Sequence, residues 1–333
     1  MISCTEFIPA YSELFKFIDQ KSGRQAVYDF WNWLFQPEKS PLNGLLEEYG
    51  MLGIWKNWYV VYTEEACDNT MIHNEREGWH ASCMHSCPSK GRFAKLGYME
   101  PFDEYCKHCE CYDITFKKYG IQSVGDSRGE DRASCRGIKF DPKVFKGDAK
   151  AMVESMYQCE MNGGCKIGID DTQCPLYRPD NLVLRTSAED YKYLHPGFHR
   201  SMALGASFVM NHYGADGLKE YLTQYTLAFH VPLLKAIQEK GLTAIAEYMQ
   251  WLYEIEEAPD ALKMEQTDKD LLITIHYCPA VKFLKNENFP LDESFACCTS
   301  MVYEALSEAS GLGFEMIHYD HDTGAAKFRF FSK

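Results

Sequence analysis

The sequence predicts an α+β protein made by internal duplication, two pseudo-symmetric copies of a domain in which helices precede an antiparallel sheet. Three observations predict it. Slid along itself by 191 positions, the chain superposes without a gap: Phe7 meets Phe198, Gly23 meets Gly214, Pro41-Leu42 meets Pro232-Leu233, Gly50 meets Gly241, and Gly120 meets Gly311. The string His85-x-Cys87-Pro88 falls on His276-x-Cys278-Pro279, and Cys106 and Tyr112 fall on Cys297 and Tyr303. In each half the apolar period changes from helical to strand-like partway along, the pattern of helices backed by a sheet.

The second half reads most clearly. Phe198, Met202, Val209 and Tyr213 recur at helical spacing up to Gly214, a suitable helix stop. Leu218, Tyr221, Leu222 and Tyr225 mark a second helix, and Pro232 and Gly241 bracket a third. Leu242, Ile245, Met249 and Leu252 form a further amphipathic stripe, followed by Glu254, Glu256, Glu257 and Asp260, which read as a solvated helix end. Ala261 to Glu265 and Leu271 to Cys278 are predicted strands. Asp292 is the predicted N-cap of a helix ending at Gly311, and Phe314–Tyr319 and Ala326–Phe331 form a hairpin around Asp320 to Gly324. The first half repeats this order. Helices cover Ala10–Phe35 and Leu42–Tyr62, a strand ends at Cys87-Pro88, a helix covers Phe102–Tyr119, and a closing strand runs from Ala133 to Phe140. The resulting domains are 1–140, a connector at 141–190, and 191–333. The connector has no counterpart, holds a predicted helix at Asp148–Tyr157, and is punctuated by Gly, Pro and Cys.

The length of 333 residues suits two ordinary domains, and the 46% hydrophobic content describes a folded chain. A net charge of −14 argues against nucleic acid, which demands clustered Lys and Arg. No apolar run is long enough for a membrane span, and the N-terminal residues lack the pattern of a signal peptide. The expectation is a cytoplasmic protein with a small-molecule ligand, either a monomer with an internal pseudo-dimer or a weak homo-oligomer.

The 14 cysteines are unevenly placed, with only Cys278, Cys297 and Cys298 beyond residue 174. In a strand, Cys83, His85 and Cys87 would share a face. Cys106 and Cys109 would share a face of the following helix, and Cys135 sits on the closing strand. Cys87, His85 and Cys106 are candidates for nucleophilic chemistry, with His276, Cys278 and Cys297 as their counterparts for substrate binding. Cys83, Cys109, Cys135 and the connector thiols Cys159, Cys165 and Cys174 are candidate ligands for zinc or an iron-sulfur cluster. At the 191-residue offset Cys83, Cys109 and Cys135 become Thr274, Ser300 and Ala326, so a metal site built from them belongs to the first half alone. The same thiols admit a redox-sensing role, or a non-catalytic metal- or cofactor-binding role, in place of catalysis.

The stretch from His195-Pro196-Gly197-Phe198-His199 through Tyr213-Gly214, Pro232-Leu233 and Tyr277-Cys278-Pro279-Ala280 to Tyr319-Asp320 resembles the L-2-amino-thiazoline-4-carboxylic acid hydrolase family. Cys87-Pro88-Ser89, Tyr105-Cys106-Lys107-His108-Cys109 and Ser134-Cys135-Arg136 resemble another branch of that group. The resemblance spans both halves but not the connector, and implies hydrolysis of a cyclic, amidine-like thiazoline.

Overall fold

The structure is a computed structural model, and it describes residues 1–36, 39–129, 134–161 and 171–333. The chain is mixed α and β, and its contacts divide it into two compact units. One comprises Tyr28–Tyr193; the other joins Met1–Val27 to Leu194–Lys333. The first 27 residues therefore fold with the C-terminal half.

The Tyr28–Tyr193 unit is organised by a five-stranded antiparallel sheet of order β3-β4-β2-β1-β5, made of β1 (Asp68–Asn74), β2 (Trp79–Ser86), β3 (Gln122–Gly129), β4 (Ser134–Phe140) and β5 (Leu182–Thr186). Alternation along the strands dictates its two faces. Ile72, Trp79, Ala81 and Ile138 pack with Ala149, Val153, Met156 and Tyr157 of helix α7 (Ala149–Met161). Met71 and Met84 point the other way, toward Leu42 and Leu46 of α3 (Pro41–Tyr49), Ile54, Trp58 and Tyr62 of α4 (Leu52–Glu64), and Phe116 of α6 (Tyr112–Lys118). Helices thus cover both faces. Each such apolar side chain, fully buried, contributes on the order of 1.5–3 kcal/mol. The connector is part of this fold, since α7 covers one face and β5 pairs with β1.

A single helix was expected over Phe102–Tyr119. Instead Tyr105–Cys111 is a 3-10 helix, and α6 starts only at Tyr112. Four of the six residues in the Cys-Lys-His-Cys-Glu-Cys run, its three cysteines and His108, are weak helix formers. His108 anchors it, lying edge-on to Trp31 and Phe35 with ring centroids 5.8 and 5.1 Å away.

The other unit holds a four-stranded antiparallel sheet, order β6-β7-β9-β8, from β6 (Leu262–Gln266), β7 (Asp270–Ile275), β8 (Gly313–Tyr319) and β9 (Ala326–Phe331). Its helices are α1 (Phe7–Ser22), α8 (Gly197–Phe229), α9 (Val231–Lys240), α10 (Leu242–Ile255), α11 (Pro279–Asn286) and α12 (Glu293–Ser310). The α8 segment breaks at Gly214, whose φ of 72° and ψ of −176° are not helical. Asp292 caps α12 by accepting the Ser294 N–H at 3.0 Å, as its sequence predicts. Asp320 Oδ1 accepts the Asp322 and Thr323 N–H groups at 2.7 and 3.2 Å, closing the expected hairpin turn. Helix α1 packs on α8: Phe7 and Phe198 stack with centroids 4.3 Å apart, and Tyr213 Oη donates to Ser22 Oγ at 2.9 Å.

Candidate functional site

Strand β2 carries the residues of greatest chemical interest, and its register decides where each goes. Cys83 pairs with Thr70 on β1 and with Arg136 on β4. All three side chains therefore share the face covered by α7. Alternation puts His85 on the same side, where its Nε2 lies 3.0 Å from Thr70 Oγ1. Thr70, Cys83 and His85 line a small cavity of about 30 Å³ together with Cys159 of α7 and Cys174 of the following loop. Arg136 is 1% exposed on this face; its guanidinium stacks over the Tyr157 ring at 5.3 Å and donates to the carbonyls of Met84 and Cys135.

Cys87 does not join them. The strand ends at Ser86, alternation stops there, and Cys87 packs in the opposite cluster with Tyr112 and Cys67. The expected one-face set of Cys83, His85 and Cys87 is therefore split across the sheet. Cys135, opposite Met84 in register, also lies on the Cys87 side. Burial pushes the Cys87 thiol up to about 12, partly opposed by the N–H groups of Lys90 and Ser89. Cys135 and Glu65 add negative field at Cys87, and the field of Cys87 in turn reaches Cys109, as do those of Cys135 and Cys106. Glu65 is buried on this side, and burial first, then neighbouring thiols, raise the phenols of Tyr62 and Tyr112. Cys165 lies outside the described residues.

The C-terminal unit repeats one part of this. Cys278 precedes α11, burial raises its thiol, and the N–H groups of Val281 and Ala280 work against that rise. The field of Glu256 reaches Cys278, and that of Cys278 reaches Tyr303. Gly324 comes so close that an added Cβ would sit 2.4 Å from Cys278 Cβ. Cys278 is 6% exposed, with Met1 Sδ 3.4 Å from its sulfur, whereas Cys87 is partly exposed. His276 is exposed, while the cysteine of the same His-x-Cys-Pro string is buried. Cys297 is half-buried on α12, its thiol raised by burial and by Glu293.

Sequence reasoning missed one constellation. Cys4, His199 and Glu256 are all buried, with donor atoms within 4.8 Å of one another; among the described residues this is the group of three potential ligands that meets that limit. His199 Nε2 is 3.0 Å from Glu256 Oε2, and the Cys4 N–H donates to Glu256 Oε1 at 2.6 Å. Glu256 had been expected in solvent. Yet it extends the stripe Ile245, Met249, Leu252 at i+4, and that continuation was the available signal. Cys4 sits in no periodic segment and gave none. With its hydrogen-bonding capacity met from three sides, this carboxylate reads as a structural clasp on the N-terminal segment.

No helix among the described residues is long and apolar enough to cross a membrane. No family model matches the chain, and neither a curated protein nor a solved structure is similar to it.

Proposed function

We propose that the chain is a duplicated, hydrolase-like protein related to the thiazoline-carboxylate hydrolases, and that its Tyr28–Tyr193 unit acts on a small cyclic amidine through Cys87. Duplication is supported by local geometry at the 191-residue offset. Removing β5 leaves β3-β4-β2-β1, the order of β8-β9-β7-β6. Gln122 pairs with Phe140 as Gly313 pairs with Phe331. Positive φ recurs at Gly23 and Gly214, Gly50 and Gly241, Gly120 and Gly311, and at the non-glycine positions Ala66 and Glu257. Within the C-terminal unit, the contacts of Phe7 with Phe198 and of Ser22 with Tyr213 each join a residue to its own counterpart at the offset.

The observation that carries the chemistry is the recurrence of one set: a cysteine before proline with backbone N–H groups on its sulfur, a buried glutamate, and a tyrosine, half-buried in the first set and buried in the second. It is Cys87, Glu65 and Tyr112 in one unit, and Cys278, Glu256 and Tyr303 in the other. In the second set the sulfur is covered and the glutamate is committed to His199, so the first set is the one assigned activity. His85 faces away from Cys87, which leaves Glu65 as the base.

At rest the Cys87 thiol is protonated, because burial opposes the thiolate. A cationic amidinium entering beside Glu65 reverses that balance. Glu65 takes the thiol proton, the sulfur bonds to the amidine carbon, and the ring C–S bond breaks as the ring sulfur takes the proton back. Water then adds to the same carbon, the bond to Cys87 breaks, and the thiol regains its proton. One water is consumed and the amidinium proton is released. The test is turnover of 2-amino-thiazoline-4-carboxylate and related cyclic amidines by the reduced protein, read as new thiol. Activity should fall more than about a hundredfold in Cys87→Ala and persist in Cys278→Ala. No turnover by the reduced protein, or full activity in Cys87→Ala, removes the reading.

A second reading has one observation in its favour. The thiols of Cys87, Cys106, Cys109 and Cys135 lie within one another's field, as a redox sensor's would. A reversible disulfide among them on mild oxidation separates it from hydrolysis.

A further inference from the structure

We infer that Lys139, His80 and Ser123 form a carboxylate-binding subsite on the Cys87 side of the five-stranded sheet. The three stand in one row across β2, β4 and β3, His80 paired with Lys139 and Lys139 with Ser123. Directly opposed side chains have Cβ atoms about 4.5–5.5 Å apart, so the three can meet one small group. The next row on the same face is Ser82, Gly137 and Gly125.

The other sheet shows what these positions hold when they serve as core. At the 191-residue offset the first row becomes Leu271, Phe330 and Phe314, and the second Ile273, Phe328 and Met316. The register is the same: Leu271 pairs with Phe330 and Phe330 with Phe314, while Ile273 pairs with Phe328 and Phe328 with Met316. Six apolar side chains there thus stand against four polar ones and two glycines here. Polar groups and glycines on a covered face forfeit apolar burial and leave space, so packing does not account for them. Above the glycines the cover is aromatic: Trp55 and Trp58 of α4 occupy the positions that the offset fills with Ala246 and Met249.

The polar atoms identify the occupant. Both ring nitrogens of His80, which is 1% exposed, and Ser123 Oγ are buried and have no hydrogen-bond partner among the described residues. Buried groups of this kind are ordinarily satisfied, as Ser82 is by Tyr62 Oη at 2.9 Å. Lys139 brings the charge. Its Nζ lies 3.4 Å from where a Gly137 Cβ would stand and 5.9 Å from the Trp58 ring centroid, so the ammonium crosses the space above the glycines. An ammonium paired with His80 disfavours a metal cation and selects an anion. A carboxylate, with two oxygens, accepts from an ammonium, an imidazole N–H and a hydroxyl together. The fields of Cys135, Asp113 and Cys109 reach Lys139, and that of Cys135 reaches Cys87 as well, so the subsite adjoins the thiol assigned activity. Gly125, on the edge strand, is exposed and leaves a way in.

Giving this subsite the carboxylate of a thiazoline substrate rests on the hydrolase reading; the subsite itself does not. The test uses the reduced full chain carrying Cys87→Ala, with thiazole-4-carboxylate as the probe and calorimetric titration as the readout. We expect the carboxylate to bind at least about tenfold more tightly than the uncharged thiazole-4-carboxamide, the scale of one charge-assisted hydrogen bond. Lys139→Met should abolish that preference, and Lys139→Arg should keep part of it. Lys143→Met, at an exposed lysine of the turn after β4, should leave it intact. Gly125→Met, which installs the residue found at 316, should block binding by filling the space while every donor remains. In the chain with Cys87 intact, Lys139→Met should raise KM for 2-amino-thiazoline-4-carboxylate about tenfold or more and leave KM for 2-amino-thiazoline unchanged. No binding of the carboxylate, equal affinity for carboxylate and carboxamide, or an undiminished preference in Lys139→Met overturns the subsite even where turnover is seen. Lys139-dependent carboxylate binding without turnover removes the hydrolase reading and leaves the subsite standing.

Discussion

His199 Nε2 lies 3.0 Å from Glu256 Oε2 where the two side chains are 2% and 3% exposed. Burial pushes the Glu256 carboxyl up, but the hydrogen bond and charge of His199, with the N–H and thiol of Cys4, overcome it and hold the group below its ordinary value. Breaking such a pair from one side leaves an uncompensated buried group, at a cost of about 3–5 kcal/mol. Glu256→Gln and His199→Ala should each lose stability on that scale in urea unfolding. Glu256→Leu combined with His199→Leu should cost less than the sum of the single changes. Additive losses would show that the two side chains do not act as a pair.

Stability should fall steeply in acid. Burial drives His230 down to about 3 and His80 well below its usual value, so both stay neutral in the folded chain. Unfolding lets each bind a proton once the pH drops below about 6.5. Their contribution is intact above that value and is lost as pH falls from about 6.5 toward 3, at about 1.4 kcal/mol per pH unit per group. Glu256, held low, adds a loss as pH falls below its unfolded value. Glu6 opposes the trend, since burial raises its carboxyl and makes it cheaper to fold when protonated. Chemical denaturation at pH 7.5 and 5.0 should give a smaller unfolding free energy at 5.0, and His80→Phe should flatten the difference.

How far the site was legible depended on where periodicity held. Order and type of the C-terminal elements followed from apolar spacing except at α11, which the reading passed over, and Asp292, Gly311 and the Asp320 turn did what their residue types dictate. Alternation also placed Cys83 and His85 together. It failed at Cys87, because pairing ends one residue earlier and period two no longer applies past the last ladder residue. The cavity was hidden for a different reason: Cys159 and Cys174 reach Cys83 through the packing of α7 on the sheet, a long-range event no local pattern encodes. Glu256 was misjudged by composition, since four acidic residues in seven look solvated while their helical phase puts one inside.

Thiol reactivity should be graded and ligand-dependent. Burial holds Cys298 at about 12 with 4% of its surface exposed, and Cys278 is covered at 6%. Both should resist iodoacetamide at pH 7.5 until the chain unfolds. Cys87 is partly exposed but held at about 12, so its rate should be well below that of a small-molecule thiol. A cyclic amidinium that is not turned over should raise that rate at subsaturating concentration by lowering the thiol pKa, whereas a neutral isostere should not. Mass-resolved labelling of each cysteine measures this, and equal rates with and without the cation would remove the electrostatic part of the proposed mechanism.

The two glycines at 311 and 324 separate backbone strain from crowding. Both adopt positive φ, 77° and 66°. At Gly311 an added Cβ meets nothing within 4 Å, so Gly311→Ala should cost only the left-handed backbone penalty of about 1–2 kcal/mol. At Gly324 the added carbon would lie 2.4 Å from Cys278 Cβ and 2.9 Å from Val281 Cγ2. The turn cannot simply retreat, because the Cys278 N–H donates to the Thr323 carbonyl at 3.0 Å and Asp320 fixes the loop from the other side. Gly324→Ala should therefore add an overpacking penalty of about 1–3 kcal/mol to the same strain, giving a clearly larger loss in denaturant midpoint than Gly311→Ala. It should also expose the Cys278 thiol to alkylation, since relief of the clash requires the hairpin to lift from the start of α11. Equal losses for the two variants would mean that the hairpin moves freely over Cys278 and does not seal it.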